Sequence, residues 1–166
     1  MENNIIIQNR TFIGKDAVDI LEKKLEINFS QYYKDFLSKS NGGQAEKNEY
    51  FFEDFNGDKC SSDIYFFSVV YEEYKDLLIE ENEKFKHRIP KNFIAIGSDS
   101  IRNLIIMNTI TEEIYLWKFM SKKENAEISN CFLLAKNFKE FFEYKLQEFI
   151  LDEEDPFYAY SLYDID

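Results

Sequence analysis

A single α+β domain, with an antiparallel or mixed sheet of about five or six strands covered by about four helices, is the architecture this sequence predicts. Three observations lead there. Apolar residues recur at helical spacing in some segments and at a period of two in others, so both element types are written into one chain. The strand-like segments of the second half are joined by short turn-forming sequences, which favours antiparallel neighbours. With 166 residues, 45% hydrophobic and 17% aromatic, the chain has the material for one core without disulfide or metal staples.

The run Ile5, Ile6, Ile7 is too short to decide between an edge strand and a docking segment. Residues 16–25 predict the first helix, since Val18, Leu21 and Leu25 share a face while Asp16 and Asp19 lie near its positive N-terminal end. The second helix, residues 30–40, has the clearest limits. The Ser30 hydroxyl can accept a hydrogen bond from a first-turn amide, and Tyr33, Phe36, Leu37 and Ser40 share one face. Asn41-Gly42-Gly43 stops it, because glycine enters the left-handed region without a Cβ clash; at least one of these glycines is expected at positive φ.

Residues 50–55 read as an aromatic strand, with Asn56-Gly57 as a type I′ hairpin turn returning through residues 58–60. Asp54, Asn56 and Asp58 also have the oxygen spacing that opens an EF-hand loop. That reading fails downstream, where Lys59 stands at the glycine position and Tyr65 at the position of the bidentate glutamate. Residues 63–69 form a further strand, with Ile64, Phe66 and Ser68 facing one way and Tyr65, Phe67 and Val69 the other. From Val70 the period becomes helical: Val70, Tyr74, Leu77, Leu78 and Phe85 line one side of a helix reaching about His87, and Glu72, Asp76, Glu80 and Glu83 line the other. Glu81 falls inside the apolar arc, either where the helix frays or at an edge of its packed face.

Ile89-Pro90 closes that helix, since proline biases the preceding residue towards extended geometry. Residues 92–96 lead into Gly97-Ser98-Asp99-Ser100 turn chemistry, residues 104–108 are a continuous apolar run, and residues 113–119 alternate. Trp117 shares a face with Glu113, Tyr115 and Phe119, while Ile114, Leu116 and Lys118 point the other way. Residues 121–130 read as a charged loop and 131–134 as one more extended segment. Asn137 then caps a last helix, residues 137–149, whose stripe of Phe138, Phe141, Phe142, Leu146 and Phe149 is a core face. Trp117 and this stripe are expected to meet in one core.

The ordered set of segments resembles the SUKH superfamily, which includes bacterial toxin-immunity proteins and fungal cell-wall regulators of SMI/KNR type. The features that carry the resemblance are Ile20-Leu21-Glu22 with Leu25, the aromatic second helix ending in Asn41-Gly42-Gly43, Ile89-Pro90, Ile96-Gly97-Ser98-Asp99, the apolar run 104–108, Tyr115-Leu116-Trp117, and the closing helix from Ala135-Lys136-Asn137-Phe138 through Glu140-Phe141-Phe142. Together they span about residues 16 to 150. The chain departs from the family pattern in two loops, with Phe29-Ser30 where Leu-Pro is usual and Arg102-Asn103 where Gly-Asn is common. The resemblance implies a SUKH-like domain over residues 1–151, followed by an acidic, Tyr-rich segment, 152–166, expected to dock on it.

No residue pattern points to catalysis. His87 is the single histidine and sits between Lys86 and Arg88 at a helix end, where cations complement the dipole. The five glycines form no phosphate-cradling loop, and among 32 acidic residues a pair of carboxylates has no specificity. Cys60 and Cys131 lie far apart, without metal-ligand or disulfide-framework spacing. The expectation is a protein that is not an enzyme, with no cofactor and no metal. The N-terminal sequence lacks a basic start and an apolar run of leader length, and no stretch approaches membrane-spanning length, so a cytoplasmic location is expected.

A net charge of −12 opposes binding to phosphate backbones and suits a basic protein partner, although acidity also serves solubility alone. The resemblance implies an immunity protein that binds and neutralises a cognate toxin, a basic nuclease toxin being one class; the alternative is a regulatory interaction module of the same superfamily. Two surfaces are candidates for the contact. One is the face of Glu72, Asp76, Glu80 and Glu83, with Ile79 as an isolated aliphatic on the same side. The other is the C-terminal segment, with Asp152, Glu153, Glu154 and Asp155 followed by Tyr158, Tyr160 and Tyr163.

Overall fold

In the computed structural model, residues 4–8, 12–68, 70, 77–119 and 130–148 are described. The chain runs β1 (Ile6–Gln8), α1 (Gly14–Leu25), α2 (Gln31–Ser40), β2 (Gln44–Ala45), β3 (Glu49–Glu53), β4 (Lys59–Asp63), β5 (Phe66–Phe67), α3 (Leu77–Phe85), β6 (Phe93–Ser98), β7 (Leu104–Asn108), β8 (Ile114–Trp117), β9 (Cys131–Ala135) and α4 (Phe138–Glu140). A π-helical turn, Phe141–Lys145, continues α4. Strands β5 to β9 form one antiparallel sheet in chain order, and β1-β2 and β3-β4 form two two-stranded sheets. This is the single α+β domain that the sequence predicts.

The caps of α2 follow the sequence reading. Ser30 Oγ accepts from the Tyr33 amide at 3.5 Å, and Asn41, Gly42 and Gly43 all have positive φ (53°, 74° and 112°). Asn41 also holds the chain beyond β5, because its side-chain oxygen accepts from the Val70 amide at 2.7 Å. Glu22, buried on α1, fixes the interhelical corner: it accepts from the Phe29 amide at 2.6 Å and from Lys34 Nζ at 2.7 Å. Strand β1 settles the Ile5 to Ile7 question, pairing with β2 through Ile6 opposite Ala45.

Several local readings are overturned. The β3-β4 turn is not type I′, since Gly57 alone among its residues has positive φ (83°). The Gly57 amide bonds the Asp54 carbonyl at 3.0 Å, and the Asp54 amide bonds the Asp58 carbonyl at 2.9 Å, so a type I turn is followed by a glycine in the left-handed region. Residues 63–69 are not one strand. Asp63 closes β4 against Glu49, while Phe66 and Phe67 pair with Ser98 and Gly97, because the chain changes partners at Ile64 and Tyr65. Gly97 lies inside β6 rather than in a turn, and a Cβ there would stand 2.8 Å from the Phe66 carbonyl oxygen. The turn that follows is built on Asp99.

Alternation along β6 to β9 divides the apolar residues between two faces. Ile94, Ile96, Ile105, Met107, Ile114 and Leu116 join the larger core, with α1, α2, α4 and the inner face of β3-β4. Ala95, Leu104, Ile106 and Trp117 turn the other way, towards Phe85 and Ile89. Trp117 therefore does not share a core with Phe138, Phe141 and Phe142; the sheet lies between them. The last helix is also shorter than predicted. After Glu140 it widens into the π turn, closed by the Leu146 amide on the Phe141 carbonyl at 3.2 Å, which buries three consecutive residues, Phe141, Phe142 and Glu143. Gln147 then pairs with Glu49 in both directions, and Phe149 lies outside the described residues.

Helix α3 closes an open edge of the sheet. Strand β5 ends at Phe67, which leaves the Ala95 amide and carbonyl of β6 without a strand partner. The buried Asn82 carboxamide takes both, at 2.8 and 2.9 Å, while also donating to the Leu78 carbonyl at 2.8 Å. Glu81, beside it, is half-buried at the edge of the packed face and accepts from Ser68 Oγ at 3.1 Å; the helix does not fray there.

Candidate partner-binding surfaces

The buried polar side chains serve the fold. Asp99 is the clearest case. Its carboxylate accepts from the Asn103 amide at 2.6 Å, Asn103 Nδ2 at 2.7 Å, the Ile101 amide at 3.1 Å and Ser62 Oγ at 3.2 Å, so its oxygens are fully occupied. Asn4 brackets Lys47 in the same way, bonding both its amide and its carbonyl. Burial pushes the Cys131 thiol up to about 12, which suppresses the thiolate. His87 is exposed just beyond α3. Among the described residues, no group of three His, Cys, Asp or Glu side chains is placed to hold a metal ion, and no helix is long and apolar enough to cross a membrane.

Of the candidate contact residues, Glu80 and Glu83 are exposed together on α3. Ile79 is not an isolated surface aliphatic. It is half-buried and packs against the larger core, because the start of α3 leans over the sheet edge onto that side. Glu72 and Asp76 lie outside the described residues, and so do Asp152, Glu153, Glu154, Asp155, Tyr158, Tyr160 and Tyr163.

A surface that the sequence reading missed lies on the β3-β4 hairpin. Tyr50 and Phe52 point into the core, which turns Phe51 and Glu53 outwards. Phe51 is 52% exposed opposite Ser61, and Phe55 at the turn is 71% exposed with its ring 4.6 Å from that of Phe132. From Glu49 to Asp63 the hairpin carries five acids (Glu49, Glu53, Asp54, Asp58 and Asp63) and one base, Lys59. The backbone amides of Asp58 and Asn56 hold the Asp54 carboxyl below its usual range. Of the residues that suggested calcium, Asp54 thus caps the turn, its Oδ1 accepting from the Asp58 and Asn56 amides at 3.0 and 2.8 Å. Tyr65 and Ile101 are also exposed, near the hairpin base in the chain, where Ser100 Oγ donates to Asp63 at 2.7 Å. Period-two alternation marks Phe51 and Phe52 as opposite in direction but cannot say which of them faces the core.

The second feature is a groove of about 750 Å³ between the C-terminal ends of α1 and α3 and the adjoining end of β6. Its floor includes Ile27, Ile89, Phe93 and Ile94, and its rim carries Lys24, Lys86, His87 and Lys91 against Glu26 and Glu83. On a chain of net −12 this is a local inversion of charge.

A family model described as the SMI1 / KNR4 family (SUKH-1) matches residues 13–144. The chain belongs to the SMI1/KNR4 family. No curated protein matches it. In this SUKH-1 domain the match runs from the residue before α1 into the π turn, leaving β1 and residues 145–166 outside. The motifs behind the resemblance have structural duties here: Asn41-Gly42-Gly43 terminates α2, Asp99 organises the β6-β7 turn, and Phe138, Phe141 and Phe142 fill the larger core. Arg102, where Gly-Asn is common, adopts φ 70°, the conformation that glycine would take without strain. The SUKH-1 loop therefore keeps a left-handed residue despite the substitution.

Proposed function

We propose that this SUKH-1 domain is an immunity protein that binds and neutralises a cognate toxin in the bacterial cytoplasm by protein–protein contact, without catalysis. The observation that carries the reading is the β3-β4 hairpin, where Phe51 stands exposed on the outward face between Glu49 and Glu53, and Phe55 is exposed at the tip between Asp54 and Asp58. Exposed aromatic rings framed by carboxylates suit a partner with a basic surface: the rings supply area to bury, and the acids steer the encounter. A nuclease toxin fits that description, because an enzyme acting on nucleic acid needs cationic surface of its own. Glu80 and Glu83 of α3 and the acidic segment 152–166 contribute to the net charge of −12 that favours a basic partner.

The test is binding of the toxin encoded beside its gene to the full-length protein, to Phe51→Ala/Phe55→Ala, to Glu53→Lys/Asp58→Lys, to Glu80→Lys and to a chain ending at Leu151. The aromatic pair should mainly speed dissociation, weakening binding roughly tenfold or more. The hairpin charge reversal should slow association and flatten its salt dependence. Tight binding that is indifferent to both hairpin variants would move the contact elsewhere. No binding to the wild type would favour a regulatory interaction module of the same superfamily.

A further inference from the structure

The groove between α1 and α3, whose rim sets Lys24, Lys86 and Lys91 against Glu26 and Glu83, suits an acidic, apolar-sided occupant. Lys86 and Lys91 are exposed on its rim, and among the described residues neither makes an ion pair. The floor offers apolar surface from Ile27, Ile89 and Phe93. The chain itself contains a segment of matching chemistry. Residues 152–166 carry six acids and no Lys or Arg, the acids flanking an aromatic stretch of Phe157, Tyr158, Tyr160 and Tyr163. We propose that this groove is the docking site of the chain's own C-terminal segment, residues 152–166, with its carboxylates on the lysine rim and its aromatic side chains on the apolar floor.

The geometry allows it. The described chain is last anchored where Gln147 pairs with Glu49, and residues 149–166 follow Glu148. Tyr158, near the middle of the segment, is ten residues (158 less 148) beyond Glu148 and can lie up to about 35 Å from it when the chain is extended. A compact domain of this length is about 40 Å across, so a reach of about 35 Å covers much of its surface. Tethering also raises the effective concentration of the segment to roughly millimolar, so a contact too weak to hold a free peptide suffices in cis. Docking would cover the cationic groove and leave the remaining surface acidic. The proposal stands independently of the immunity reading, since it needs no toxin.

Hydrogen exchange on the full-length chain tests it. At low salt the amides of residues 152–166 should exchange about tenfold or more slowly than in a free peptide of the same sequence. Raised salt should weaken this protection, and Lys86→Glu/Lys91→Glu should abolish it. Lys15→Glu/Lys136→Glu, which makes the same charge change away from the groove, should retain it, and the protection should not depend on protein concentration. The proposal is overturned by peptide-like exchange in the wild type, by protection that survives the groove variant, by equal loss in the control variant, or by protection that appears only on concentration.

Discussion

Replacing Gly42 by alanine asks whether the end of α2 needs glycine for its backbone angle alone or also for the close approach of another backbone. Gly42 has φ +74°, and a Cβ built there would lie 2.4 Å from the Ser68 carbonyl oxygen and 2.7 Å from that of Phe67. Gly57 is the natural control, with φ +83° and nothing within 4 Å of an added Cβ. Both substitutions incur the left-handed strain of an L-residue, about 1–2 kcal/mol. Only Gly42→Ala must also displace backbone that is held in place: the Gly43 amide bonds the Phe67 carbonyl at 3.1 Å, the Phe67 amide bonds the Gly43 carbonyl at 2.9 Å, and the Ser68 amide bonds the Ile96 carbonyl at 2.9 Å. Overpacking of that kind costs about 1–3 kcal/mol further. Gly42→Ala should therefore destabilise by about 2–5 kcal/mol and Gly57→Ala by about 1–2 kcal/mol, a gap of about 1–3 kcal/mol in a domain whose total stability is of order 5–15 kcal/mol. Urea denaturation followed by fluorescence of Trp117, the single tryptophan and a buried one, reads both. Equal losses, within about 0.5 kcal/mol, would show that the close approach to Phe67 and Ser68 carries no cost and would refute the reasoning.

Three further outcomes are expected. Tyr33 is fully buried against Phe29, Phe36 and Phe138, its hydroxyl lacks a hydrogen-bond partner among the described residues, and burial pushes its phenol well above the ordinary value. Tyr33→Phe should thus stabilise by about 1 kcal/mol in the same denaturation assay, and a comparable loss would reveal a bond that the hydroxyl makes. Arg102→Gly should stabilise by roughly 0.5–1 kcal/mol, since relief of left-handed strain exceeds the added entropy of the unfolded chain; a lower thermal midpoint would contradict it. Burial raises the carboxyl pKa of Glu81 despite the opposing Ser68 hydrogen bond, so the folded state keeps that proton to higher pH than the unfolded chain does. Glu81 therefore favours folding least above its raised pKa, and the benefit of Glu81→Gln should grow as pH rises from below about 4.3, the ordinary glutamate value, towards neutrality. A benefit that is constant with pH would assign it to something other than ionisation.

Local chemistry was enough to place most elements and three of their caps. Ser30, Asn137 and Asn41-Gly42-Gly43 act where the sequence predicts, because capping is decided within a few residues. The exposure of Glu80 and Glu83 was legible for the same reason, as a helical period fixes which side chains share a face. What depends on distant partners was not legible. One apolar run, 63–69, was divided between β4 and β5 because two different strands compete for it. Gly97 became a strand residue because β5 crosses it closely, and Trp117 was separated from Phe141 because the sheet buries both of its faces. Asn82 carries no sequence signal, yet it completes the sheet edge, since its partner in β6 is thirteen residues away. The exposed hairpin and the lysine-rimmed groove belong to this second class. A sequence period determines faces relative to one element, whereas what covers each face, or leaves it open, is decided only when the elements meet.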